Sequence, residues 1–151
     1  MEHINEDVLT AWLRLSRVIC NERLVTELPL NESLVCNAIC RSLRQDPDRP
    51  ITATWLCSEL KMQKSLANRT LTSLEEKCII SRSRSEDDKR NVFITFNHTE
   101  TYEEQHGQIL ALVDTILEKI GKDKANDILT LFHLIADAAD EVIEHKHPEV
   151  L

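Results

Sequence analysis

Apolar residues along this chain fall at helical spacing almost throughout, and in one stretch, from Ile79 to Phe96, the spacing drops to two. A period near 3.6 stacks side chains on one face of a helix, whereas a period of two alternates them across a strand. The pattern therefore predicts a mainly α chain with a small β-hairpin. Val8, Leu9, Trp12, Leu13, Leu15 and Ile19 mark a first helix over about residues 5 to 22. Leu34, Val35, Ala38, Ile39 and Leu43 mark a second, which must stop in the DPDRP run at 46 to 50. Thr52 offers an N-cap to a short third helix that buries Leu56 and Leu60. In the fourth, Ala67, Leu71, Leu74 and Cys78 form the inner stripe, and Ser65, Asn68, Arg69 and Thr72 lie opposite. Ile80, Arg82 and Arg84 then alternate with serines, SEDDK turns the chain, and Val92, Ile94 and Phe96 return it.

Two long helical stripes follow Asn97, the first ending in Ile116, Leu117 and Ile120 and the second running through Ile128, Leu131, Phe132, Ile135, Ala139 and Val142. They are wider than a small core can cover, which predicts a second subunit packed on Ile116, Ile120, Ile128, Leu131, Phe132, Ile135, Ala139 and Val142.

Two glycines in 151 residues, Gly107 and Gly121, leave nothing to build a phosphate-cradling loop. HExxH and GxSxG patterns are missing, and the acids of the last two helices follow a solvent face, so the chain predicts binding rather than catalysis, with no cofactor and no metal. Aromatic content of 4% argues against bases stacked on an aromatic platform. The short apolar runs and missing charged leader predict a cytoplasmic protein without a membrane partner, and five cysteines without a CxxC pair suit reduced thiols. Net charge is -8, yet residues 61 to 90 carry 8 Lys and Arg against 5 Asp and Glu, a basic stretch between two acidic ones. Such a segment is how a local anion-binding surface looks in an acidic protein.

Short helix, tight turn, helix with a cationic outer face and basic hairpin is the order of a winged helix-turn-helix. The run LKMQKSLANRTLTSLEEKCIISR at 60 to 82 and DDKRNVFITFN at 87 to 97 resemble the recognition helix and wing of the MarR family of transcription regulators. The resemblance extends over most of the chain, although Cys78 stands where the family often ends the helix on glycine. It implies a winged helix-turn-helix core at 30–97, N- and C-terminal dimerisation helices at 1–29 and 98–151, and a symmetric homodimer on a palindromic double-stranded DNA operator. Lys64, Ser65, Asn68, Arg69, Thr72 and Ser73 would meet DNA from the helix. Arg82, Arg84 and Lys89 would face phosphates, and Arg90, steadied by Asp88, would enter a minor groove. Trp55 is expected on a partly exposed flank of the core.

A repressor released by a small organic effector is the resulting expectation, with Trp12, Leu13, Cys36, Cys40 and His106 as pocket lining. The alternatives are a helical protein-interaction module without DNA binding, a thiol switch at Cys20, Cys36 or Cys40, and a zinc sensor built from His98, Glu103, His106 and Cys36.

Overall fold

The computed structural model describes residues 3–21, 28–84 and 91–146. Along them run α1 (Ile4–Asn21), α2 (Leu30–Gln45), α3 (Ala53–Glu59), α4 (Lys64–Glu76), β1 (Ile80–Arg84), β2 (Val92–Phe96), α5 (Glu100–Ile120) and α6 (Ala125–Lys146). The mainly α architecture with one antiparallel β-hairpin expected from the sequence is the fold found.

Local chemistry sets the element ends. α2 begins directly after Pro29 and stops at Asp46, which is extended (φ -146°, ψ 98°), as suits a residue preceding Pro47. Thr52 caps α3 as predicted, its Oγ1 accepting the Trp55 N–H at 3.1 Å. Two helix ends then close through left-handed residues that are not glycine. After α3, Lys61 (φ 48°) lets the Met62 N–H reach back to the Cys57 carbonyl at 2.9 Å, which makes the tight turn into α4. After α4, Cys78 (φ 58°) donates to the Glu75 carbonyl and Ile79 to that of Leu74, while Leu74 and Ile79 are both buried. Cys78 is therefore exposed beyond the helix and does not continue the inner stripe as the spacing suggested: the left-handed turn rotates it out.

β1 and β2 pair antiparallel from Ile80 opposite Phe96 to Arg84 opposite Val92. A third edge was missed from the sequence, because two residues are too few to show a period: Thr52 bridges Phe93, and the Ile94 N–H donates to the Ile51 carbonyl at 2.9 Å. The hairpin is thereby tied to the segment that starts α3. The turn read at SEDDK falls outside the described residues.

Among the described residues, the buried apolar core lies between Val35 and Tyr102. Val35, Cys36 and Ile39 of α2, Leu56 of α3, Leu71 and Leu74 of α4, and Ile80, Ile94 and Phe96 of the strands share one cluster, with Trp55 half-buried at its edge under the Arg49 guanidinium, as expected. Tyr102 carries the start of α5 onto this lobe by setting its ring edge-on to Phe96, with centroids 4.9 Å apart. Beyond it the apolar faces stay open: Val8, Leu9, Trp12 and Leu13 on α1, Val113, Ile116 and Ile120 on α5, and Leu131, Phe132, Ile135 and Val142 on α6 are exposed, with Ile128 and Ala139 partly covered. Gly121 (φ 108°) breaks α5, and a 3-10 turn at Lys122–Lys124 leads into α6. Among the described residues, no helix is long and apolar enough to cross a membrane.

Candidate nucleic-acid interface

α4 sorts its residues by face. Ala67, Thr70, Leu71 and Leu74 are buried against α2, α3 and β1, while Lys64, Ser65, Asn68, Arg69 and Thr72 are exposed along the opposite side. The buried Thr70 hydroxyl is satisfied by the Leu66 carbonyl at 2.9 Å. The outer face so formed carries two cations, an amide and two hydroxyls, and its first three turns hold no acid. Guanidinium and amide groups are the side chains that pair in bidentate fashion with guanine and adenine edges in a major groove, and lysine suits phosphate.

Two expected contacts are committed elsewhere within the chain. Ser73 does not join the outer face: its hydroxyl is turned inward and donates to Glu32 Oε1 of α2 at 2.7 Å. Arg82 is likewise not free for phosphate. Its Nε and Nη2 donate to Glu75 Oε2 at 2.9 and 2.5 Å, its backbone N–H donates to Glu75 Oε1 at 3.2 Å, and Nη2 also reaches Thr72 Oγ1 at 3.2 Å. The Arg82 hydrogen bonds and charge hold the Glu75 carboxyl below the usual carboxylate range. β1 is thus pinned to α4, and the Glu75 charge is offset by Arg82, while Glu76 stands exposed at the C-terminal end of the helix. Arg84, at the far end of β1, is exposed. Asp88, Lys89 and Arg90 lie outside the described residues, in the segment that joins β1 to β2.

On another side of the lobe a cavity of about 420 Å³ opens between α2 and α5. Cys40, Leu43, Arg44 and Pro47 line one wall, and His98, Tyr102, Glu103 and His106 the other. His98 is left-handed (φ 46°) at the corner between β2 and α5, and its Nδ1 lies 2.8 Å from Glu103 Oε1. The Tyr102 and His106 rings stack, with centroids 5.8 Å apart, and the Tyr102 hydroxyl lies 3.8 Å from Cys40 Sγ. Of the residues expected to line an effector pocket, Cys40 and His106 line this cavity, and Cys36, Trp12 and Leu13 do not. Cys36 is 1% exposed inside the core, one helical turn from Cys40. Trp12 and Leu13 are 54% and 63% exposed on α1.

The same placement removes Cys36 from the zinc group read in the sequence, and no cluster of three or more His, Cys, Asp or Glu suited to a metal occurs among the described residues. Burial pushes the Cys36 thiol up to about 12, with the Cys40 and Glu32 charges adding to it, and desolvation also raises Cys40. A thiol held protonated is a poor nucleophile, which counts against Cys36 as a redox switch. The Cys20 side chain lies outside the described residues.

A sequence profile of the family described as transcriptional regulator SarA/Rot matches residues 27–108. Among solved structures, the chain is similar to reduced AbfR bound to DNA, at 17% identity over 95% of this chain and 96% of that one, with a TM-score of 0.65. It is similar to Streptococcus pneumoniae FabT in complex with DNA, at 17% identity over 95% and 97% of the two chains with a TM-score of 0.59. Similarity extends to PcaV from Streptomyces coelicolor in complex with its natural ligand, at 18% identity over 87% and 91% with a TM-score of 0.62. At these identities the likeness is one of fold. No curated protein sequence matches the chain.

Proposed function

The chain belongs to the SarA/Rot family of transcriptional regulators, and from that premise we propose that it is a homodimeric repressor which reads a palindromic operator with α4 and releases it on binding a small organic effector. The observation that carries this reading is the outer face of α4. Lys64, Ser65, Asn68, Arg69 and Thr72 stand exposed on one side of a helix whose other side is anchored in the core, which is the arrangement a major groove accepts. The segment at 85–90, which ends in Lys89 and Arg90 beside Asp88, belongs to the proposal as its wing.

The dimer is supported by the open apolar faces of α1, α5 and α6. Side chains such as Leu131, Phe132 and Ile135 exposed together exceed what a lone soluble domain leaves in water. The effector is supported by the cavity between α2 and α5, whose Tyr102 and His106 ring faces and Arg44 side chain offer stacking and charge to a small molecule. In a two-fold dimer, a molecule that wedges α2 from α5 changes the spacing of the two α4 helices relative to half-sites about one DNA turn apart.

The test is selection of duplexes from a random pool by the full-length protein. The reading expects an enriched palindrome with half-sites about 10 base pairs apart centre to centre. A pool that stays random after repeated rounds contradicts it.

A further inference from the structure

Glu32 is a charged residue in the first turn of α2, yet it is only 5% exposed. Oε1 accepts from Ser73 Oγ at 2.7 Å and Oε2 from Lys77 Nζ at 2.6 Å, so both carboxylate oxygens are engaged, one by a residue of the last turns of α4 and the other by its C-cap. A carboxylate taken out of water is tolerated only where its partners are fixed in direction, because poor geometry leaves its charge unsolvated. A second polar link, from Arg82 to Glu75 and Thr72, ties the half-exposed edge of α4 to β1, and the contacts of its buried face with the other elements are apolar. Ala67, Leu71 and Leu74 meet the core through apolar, non-directional contacts, which resist separation but fix the roll of the helix less sharply than paired charged hydrogen bonds do. At a side-chain radius of about 5 Å, a roll of roughly 20° moves an outer-face group by roughly 2 Å, enough to break a base contact.

We propose that Glu32 is a positioning residue for DNA recognition: through Ser73 and Lys77 its buried carboxylate fixes the roll of α4, and with it the aim of Asn68 and Arg69. Glu32 itself touches no DNA in this scheme. It acts on the difference between operator and random sequence, since phosphate contacts tolerate a small roll and base contacts do not. The inference rests on the reading of α4 as the DNA-reading helix.

The experiment uses the full chain, a duplex selected by the wild type from a random pool and a duplex of scrambled sequence, with affinities measured by fluorescence anisotropy at several salt concentrations beside a thermal melt. For Glu32→Gln the preference for the selected duplex falls by about tenfold, while affinity for the scrambled duplex stays within about twofold and both partners of the comparison remain folded. The double variant Glu32→Gln with Lys77→Gln, which restores a matched hydrogen bond, recovers part of the lost preference. Should Glu32→Gln fail to fold, Ser73→Ala removes a single bond and lowers the preference by about threefold. A Glu32→Gln protein, or in its place Ser73→Ala, that melts earlier but keeps the wild-type preference overturns the proposal, because the clamp would then serve stability alone. A wild type that does not separate the two duplexes overturns the DNA-reading assignment of α4 and this inference with it.

Discussion

Cys78 holds the left-handed position that closes α4, where a side chain of an L-residue crowds the backbone and glycine does not. Cys78→Gly should stabilise the protein by about 0.5–1 kcal/mol, read as a raised melting temperature. Thiol accessibility separates the cysteines as well. Cys78, exposed, should be alkylated at neutral pH well before Cys36, whose burial keeps the thiol protonated up to about 12, and peptide mass spectrometry after timed iodoacetamide treatment reads the order directly. The Arg82–Glu75 pair gives an acid-side signature. Because Arg82 lowers the folded pKa of Glu75, the stability it contributes is present above the ordinary carboxylate pKa and is lost as pH falls through the lowered one. Arg82→Met should flatten that part of a pH-dependent melt. Residues were the least legible scale in the sequence. Helical spacing assigned Ser65, Asn68, Arg69 and Thr72 to an outer face and they are exposed there, as is Lys64, which the family resemblance added, but Ser73 and Arg82 were read as DNA contacts because their partners are not visible in a period. Glu32 is 41 positions from Ser73, and Glu75 reaches Arg82 only once the left-handed turn at Cys78 brings β1 back along α4.

At the scale of elements the sequence was far more legible, since each helix and strand carries its own period. α1 over Ile4–Asn21 stands one residue from the span of 5 to 22, Thr52 caps α3, and both strands fall where the spacing drops to two. What escaped was carried by too few residues. The Ile51 and Thr52 edge is two residues long, and although the sequence predicts the tight turn before α4, it does not show the left-handed residue there, Lys61, because no glycine marks it. The junction between α5 and α6 does have its glycine. Gly121 sits at φ 108°, and a Cβ there would meet Asp123 Oδ1 at 2.7 Å. Gly121→Ala should therefore cost about 1 kcal/mol, with the melting curve as the check. α2 is the element on which the account depends most, because one end carries Glu32 against α4 and the other carries Cys40, Leu43 and Arg44 into the cavity.

For the whole molecule, the buried apolar core of the described residues belongs to the winged lobe, while α1, most of α5 and most of α6 keep their apolar stripes open. Light scattering should return twice the mass of a 17.4 kDa chain, and Leu131→Asp should shift it to monomer or unfold it by burying an unpaired charge at the proposed interface. The claim at the centre of the account is that α4 reads DNA sequence with the side chains it leaves exposed. Fluorescence anisotropy on the selected duplex, with the wild type and Asn68→Ala with Arg69→Ala compared at equal salt, tests it most directly. The account predicts a folded double variant that loses about 1 to 3 kcal/mol per broken bidentate contact on the selected duplex and comes close to its affinity for scrambled DNA. Equal affinity of the two proteins for the selected duplex would contradict it.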